Sequence, residues 1–463
     1  MIISILPALR PATQHHPGVE FQGKSQATVI FFLSPAQFPA FFLLRIRLAL
    51  CGRSAPACQR PTFQETPIPD HPEKRTVKVC IIGAGPAGLL LARLLEQCGI
   101  ASVVLERRSR EHVEKRVRAG LLEWSTVEAF RAAGVAHRLD RHGMVHDGME
   151  LRHDGAAFRL AFSELTGVPM VVYGQQEIVK DLIGARLESQ GEIHFGVTDV
   201  RICQVGVDGS LVQCTLDGIP VEISCEFLAG CDGHHGVSRA AIPAQRRSSH
   251  QWTYPFAWLG VLAQAPPLSP ELIYAVTDRG FALQSMRSPD VSRLYLQVPP
   301  DEPIHLRSDE EIWHELDLRL TGGTGKLPTG TITERVLVGL RAHVEEHMQY
   351  RTLFLLGDAA HIVPPSAAKG LNMAVADARL LAEGLDHWYR SGRRDLLDGY
   401  QSHSLRRAWH GQEFSEFMTS LLHVSPGESA AQRRMRRARL DLLRRSSTAA
   451  TAFAEQYVGL SRP

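Results

Sequence analysis

The chain has 463 residues, 44% hydrophobic, 22% charged and 7% aromatic, a balance that excludes collagenous, mucin-like and acidic disordered chains and suits about two to four folded domains. Its 51 basic and 49 acidic residues leave a formal net charge of +2, so no strong basic field speaks for nucleic acid. The eight cysteines form no CxxC pair and no Cys/His spacing suited to structural zinc, and no metal is expected; Cys80, Cys98 and Cys231 stand in apolar runs, which fits free thiols in a reducing cytoplasm.

Residues 1–76 read as an extension, either poorly ordered or produced by a start assigned too far upstream. Its apolar run at 28–44 is interrupted by Pro35, Gln37 and Pro39 and falls short of the roughly 20 continuous apolar residues of a membrane helix; no compact secretory signal appears. No membrane association is expected.

The first predicted element is a buried parallel strand, VKVCII at 77–82, which runs into Gly83-Ala84-Gly85-Pro86-Ala87-Gly88. Leu89, Leu90, Leu91, Leu94 and Leu95 give the apolar stripe of a helix that ends at Cys98-Gly99, and a second strand at 102–105 closes on Glu106. Three glycines serve a tight turn, close backbone approach to a diphosphate and close packing of helix on strand; the helix N-terminus offers free N–H groups to the phosphates, and the acidic residue accepts ribose hydroxyls. Alone the glycine pattern is weak, but strand, loop, helix, strand and carboxylate in register specify dinucleotide binding. Arg107 and Arg108 suit a 2′-phosphate, whereas Glu106 argues against NADP at this loop.

Ile178, Leu182 and Ala185 space an amphipathic helix from near Gln176, followed by short alternating strands near 193–227. FLAGCDGHHG at 227–236 is an apolar strand ending in Asp232-Gly233, and LFLLGDAAH at 353–361 is another ending in Gly357-Asp358. Either alone reads as a turn that uses Asp for local hydrogen bonding; each also puts a carboxylate where the ligand crevice of a parallel sheet lies. Between them, residues 254–300 hold strand-like runs separated by Pro and Gly, as in an antiparallel sheet. The Arg-rich run at 433–445 is interleaved with Met435, Leu440, Leu442 and Leu443 and reads as a helix with a solvated cationic face.

This trio of motifs in this order resembles the flavoprotein aromatic hydroxylases, specifically the branch acting on 4-hydroxybenzoate. HIVPPSAAKGLN at 361–372 carries the resemblance, with RVRAG at 116–120, VYGQ at 172–175, YPFAWLG at 254–260, ELIY at 271–274, RGFAL at 279–283 and YVGL at 457–460; it spans residues 77–460. The resemblance implies an α/β fold: a Rossmann-like FAD-binding domain with a parallel sheet from 77–250 and 351–420, a mostly antiparallel-sheet substrate domain at 251–350, and C-terminal helices at 421–463 near a homodimer contact. It implies that FAD is reduced by NADPH, with NADH not excluded, and that O2 then enters the phenol ring through a flavin C4a-hydroperoxide, giving 3,4-dihydroxybenzoate. The alternatives are the same chemistry on another para-substituted benzoate, such as 4-aminobenzoate, and a non-catalytic flavin-binding protein.

By the same resemblance, Arg287 pairs with the substrate carboxylate, and Ser285 and Tyr295 are its hydrogen-bonding companions. Tyr274 contacts the phenol, Tyr457 is the second tyrosine of a proton relay, His146 is its solvent-side end, and Pro365 offers a carbonyl near the phenol. Gly83, Gly85, Gly88, Glu106, Arg116, Arg118, Gln175, Asp232 and Asp358 match FAD contacts. Arg293 matches a cation near the flavin, and Leu371 and Asn372 lie beside its ring. Arg107, Arg108 and His112 fall in the nicotinamide-cofactor segment. Two departures stand out: Ala367 replaces a glycine usual in the family, which restricts the backbone there, and His112 stands where a tyrosine is common.

Overall fold

The computed structural model describes residues 72–460 apart from Val117, Ala119 and Asp154. The expectations for most of the extension, including its apolar run, lie outside the described residues. Residues 73–76 belong to the fold: the first strand, Glu73–Ile82, starts four residues earlier than the sequence pattern suggests and pairs over its whole length with Ile219–Gly230.

That strand is central in a sheet whose core is parallel. Ser102–Glu106 and Glu192–Phe195 follow it on one side, Ile219–Gly230 and Leu353–Leu355 on the other, with Gln349–Tyr350 antiparallel at the edge. Ser210–Leu216 and Thr198–Val205 form an antiparallel ribbon on Ile219–Gly230. A strand covered on both faces needs a continuous apolar run, and Val79, Cys80, Ile81 and Ile82 are all buried. Helices Pro86–Gln97, Gln175–Glu188 and Lys369–Ser391 contribute to the same core. Pro86 begins the first of these, where its missing N–H costs nothing, and Gly99 at φ +69° follows its end.

The second sheet runs in the order His361–Ile362, Thr331–Glu345, Ser249–Gln264, Val291–Val298, Gly280–Ser288, Leu272–Thr277, Met149–His153, Ala156–Leu160. All its pairs are antiparallel except Leu272–Thr277 with Met149–His153. The segment 149–160, which the sequence reading places in the first domain, is thus part of this sheet. Alternation sorts its faces: Ile273, Ala275, Leu294 and Leu296 pack with helix Asp309–Thr321, whereas Tyr274, Phe281, Leu283 and Tyr295 face helices Asp395–Leu422 and Ser447–Val458. A small sheet of Leu121–Leu122, Met170–Val172 and Met144–His146 completes the strands described.

The Arg-rich segment forms helix Ala430–Arg445, with Ser429 and Gln432 in a capping box. Its cations are mostly at the surface, except Arg436, which is buried against the Glu428 carboxylate and donates to the His423 carbonyl at 3.0 Å. Among the described residues, no helix is long and apolar enough to cross a membrane.

Candidate functional site

Two of the three loop glycines are demanded by packing. A Cβ on Gly83, whose φ is +108°, would stand 2.3 Å from the Cys231 carbonyl oxygen, and one on Gly88 would stand 2.1 Å from that of Gly83. Gly85 differs: its φ is −78°, and a Cβ there would meet nothing within 4 Å. The missing side chain leaves open space at the helix N-terminus, the place a diphosphate occupies in a dinucleotide fold. Glu106 closes the loop, accepting from Ala84 N and Arg108 N at 2.8 Å each.

The two strand-end carboxylates converge on this loop from neighbouring strands. Asp232 Oδ2 accepts from Ser238 N and Oγ at 2.9 Å, while its buried Oδ1 has no protein partner; burial raises the carboxyl above its usual range. Asp358 follows Gly357, whose φ is +57°, and pairs with Arg118 at 3.6 Å. Arg116 lies within electrostatic reach of Asp358 and Glu106, and Gln175 opens helix Gln175–Glu188. Arg107, Arg108 and His112 are exposed beyond Glu106. An open glycine loop, an unpaired buried carboxylate oxygen and a flanking Arg/Asp pair fit a dinucleotide carrying ribose hydroxyls and phosphates.

The expected substrate residues meet on one face of the second sheet. Tyr274 pairs in register with Leu283, Leu283 with Tyr295, Ser285 with Arg293, and Tyr295 with Gly260. A Cβ on Gly260 would lie 3.0 Å from the Tyr295 ring and 3.1 Å from an Arg293 nitrogen, so this glycine makes room for both. Arg293 is buried, pairs with Glu334 at 3.0 Å and packs over the Tyr295 ring. Arg287 sits at an irregularity in the strand pairing, beside the Tyr295 hydroxyl; burial disfavours its charged form. Ser285 is buried and has only a long contact, 3.5 Å, to the Met286 carbonyl. Its hydroxyl therefore remains available to a ligand.

Tyr274 and Tyr457 are brought together from distant parts of the chain, hydroxyl to hydroxyl at 2.9 Å and both buried. Burial pushes the Tyr274 phenol up to about 12 and raises Tyr457 well above the usual phenol value, so both stay protonated near neutral pH. Lys369 fixes the helix carrying Tyr457: its Nζ donates to the Gln456 carbonyl at 2.6 Å and the Tyr457 carbonyl at 3.1 Å, and pairs with Glu123 at 2.6 Å.

Three further residues have surroundings that the sequence does not reveal. The Tyr274 hydroxyl has the Ser366 carbonyl 3.4 Å away, and the neighbouring Pro365 oxygen accepts from Ala368 N. Asn372 uses its whole amide inside the protein: Nδ2 donates to the Leu121 and Ala368 carbonyls and Oδ1 accepts from Glu123 N. It pins the small sheet to the start of helix Lys369–Ser391, where Leu371 is half-buried. His146 is 1% exposed rather than at the solvent; neither ring nitrogen has a protein partner, and burial lowers it to about 4.

Sequence reasoning missed Asp377, whose buried carboxylate accepts from Gly357 N at 3.1 Å and from His361 Nε2 at 2.6 Å. The signal was present: an acid on the apolar face of a helix, between Met373, Ala374, Ala378 and Leu381. Gly260 and Lys369 stood in quoted motifs without an assigned role.

Loop, carboxylates and aromatic sheet face together define a flavin-dependent aromatic hydroxylase, and the profile of the FAD binding domain family matches residues 76–415; the chain belongs to this FAD-binding family. The p-hydroxybenzoate hydroxylase of Acinetobacter baylyi is 43% identical over 385 residues, covering 83% of this chain and 95% of that protein. A probable NADH-specific resorcinol 4-hydroxylase of Rhodococcus jostii is 27% identical, over 71% of this chain and 62% of its own length. The p-nitrophenol 4-monooxygenase of Pseudomonas putida shares the fold, with a TM-score of 0.70 over 83% of this chain and 99% of its own, at 18% identity.

Proposed function

We propose that the chain hydroxylates 4-hydroxybenzoate: 4-hydroxybenzoate, NADPH, H+ and O2 give 3,4-dihydroxybenzoate, NADP+ and H2O. The observation that carries this reading is the buried Tyr274–Tyr457 hydroxyl pair on the sheet face that also bears Ser285 and Arg287. The 43% identity to a p-hydroxybenzoate hydroxylase supports it. FAD, when bound, accepts a hydride from NADPH and delivers one atom of O2 to the ring. Gly85 and its loop, Glu106, Asp232 and the Arg118/Asp358 pair would hold it.

The chain's own residues supply the rest. Arg287, with Tyr295 and Ser285, holds the substrate carboxylate by a planar two-point contact. Tyr274 accepts the phenol proton while passing its own to Tyr457, so neither phenol has to ionise in isolation. This leaves the substrate as an electron-rich phenolate. Tyr457 releases its own proton in turn; the resemblance assigns it to His146, which is neutral near pH 7 and has neither ring nitrogen engaged by the protein. Arg107 and Arg108 favour NADPH through its extra phosphate. A homodimer belongs to the reading as well: Met435 and Leu442, 55% and 57% exposed one above the other on helix Ala430–Arg445, offer an apolar stripe to a second copy.

The test compares NADPH oxidation without ligand, with 4-hydroxybenzoate and with 4-aminobenzoate. Stimulation by 4-hydroxybenzoate on the order of tenfold, well above that by the amine, is expected. Equal stimulation by both would shift the substrate assignment, and none by either would refute catalysis on para-substituted benzoates.

A further inference from the structure

The turn that presents Asp358 is built on an unusual backbone: Gly357 takes φ +57°, and its amide turns into the protein. What receives that amide is the Asp377 carboxylate, which is fully buried. Its Oδ2 accepts Gly357 N and His361 Nε2, and its Oδ1 faces Arg407 Nη1 at 3.5 Å across from helix Asp395–Leu422. A carboxylate in such surroundings is costly unless its oxygens are bonded, and losing a partner strands whatever remains. The arrangement therefore joins four elements at one group: the turn, the strand His361–Ile362 and two long helices. Asp358 on the same turn meets the half-exposed Arg118 instead. One acid of the pair faces the cofactor site and the other holds the turn from within.

We propose that Asp377 is a positioning residue for FAD, its carboxylate oxygen on the Gly357 amide setting the turn in the form that binds the cofactor. The claim rests on the cofactor site alone and does not depend on which aromatic acid is the substrate.

The test titrates the FAD-stripped full chain with FAD by fluorescence quenching, with folding checked by circular dichroism and gel filtration. Asp377→Ala should raise the FAD dissociation constant by about tenfold or more, whereas Asp377→Asn, which keeps an acceptor oxygen for Gly357, should stay within about threefold of the parent. With FAD saturating, the 4-hydroxybenzoate dissociation constant should be unchanged in both. If the alanine variant does not fold, the double variant Asp377→Leu/His361→Phe removes the buried polar pair together and should show the same weakening of FAD binding. FAD affinity within about threefold of the parent in the acceptor-free variants, an asparagine variant as weak as alanine, or a parallel loss of substrate affinity would each overturn the proposal.

Discussion

At the scale of single residues, chemistry follows from what each side chain is denied. Tyr274 and Tyr457 are denied water, so their phenols stay protonated and each becomes the other's partner. Replacing Tyr274 by Phe should leave FAD and substrate bound but lower product formed per NADPH, with H2O2 making up the difference; full yield would remove Tyr274 from the relay. Arg287→Ala should raise KM for substrate by about 10- to 150-fold, the range expected when a charged hydrogen-bond partner worth about 1.5–3 kcal/mol is lost. An unchanged KM would place the carboxylate elsewhere. Tyr274 could be singled out because it closes the short run ELIY at 271–274, and Arg287 because it follows RGFAL at 279–283. Asp377 and the Ser366 carbonyl were not, since a buried partner and the direction of a backbone oxygen depend on contacts made far along the chain. His146 shows the same limit from the other side: the residue type suited the solvent end of a relay, and tertiary packing buried the ring.

At the scale of elements, the glycine loop separates folding from binding. Gly88 cannot carry a side chain without displacing the Gly83 carbonyl, whereas a Cβ on Gly85 meets nothing within 4 Å. Gly85→Ala should therefore leave the unfolding midpoint of the FAD-stripped protein within about 2 °C while sharply weakening FAD retention. A large loss of stability without FAD would contradict this division. The strand, helix and strand around the loop were readable because a buried parallel strand is a plain apolar run and a helix repeats every three to four residues. The first strand's four extra residues, EKRT at 73–76, were missed because all four are polar and largely exposed and give no burial signal. The pairing of residues 149–160 with Leu272–Thr277 was not legible, because periodicity shows at most that a strand exists and not which partner it finds.

At the scale of the whole molecule, the two sheets are interleaved in sequence, and helices Asp395–Leu422 and Ser447–Val458 close over the aromatic face. The interior of that face is sensitive to acid. His423 accepts from Trp258 Nε1 at 2.6 Å and meets the Thr419 carbonyl through Nδ1 at 2.9 Å, so both ring nitrogens are committed to the neutral form; burial lowers it to about 3, and His146 to about 4. Since both folded values lie below the unfolded 6.5, the unfolded chain binds more protons in the interval. Their stabilisation is complete above about pH 6.5 and is lost as pH falls towards 4 and 3, at up to about 1.4 kcal/mol per pH unit for each ring. Thermal unfolding followed from pH 7 to pH 4 should show this decline, and His423→Gln should flatten it; an unaltered slope would mean that His423 does not carry it.

The proposed coupling of NADPH oxidation to insertion of oxygen into 4-hydroxybenzoate is tested by quantifying 3,4-dihydroxybenzoate and H2O2 against NADPH oxidised by the FAD-loaded protein under isotopically labelled O2. About one labelled dihydroxy product per NADPH and little H2O2 are expected. NADPH consumption that ends mainly in H2O2, or product oxygen drawn from water, would contradict it.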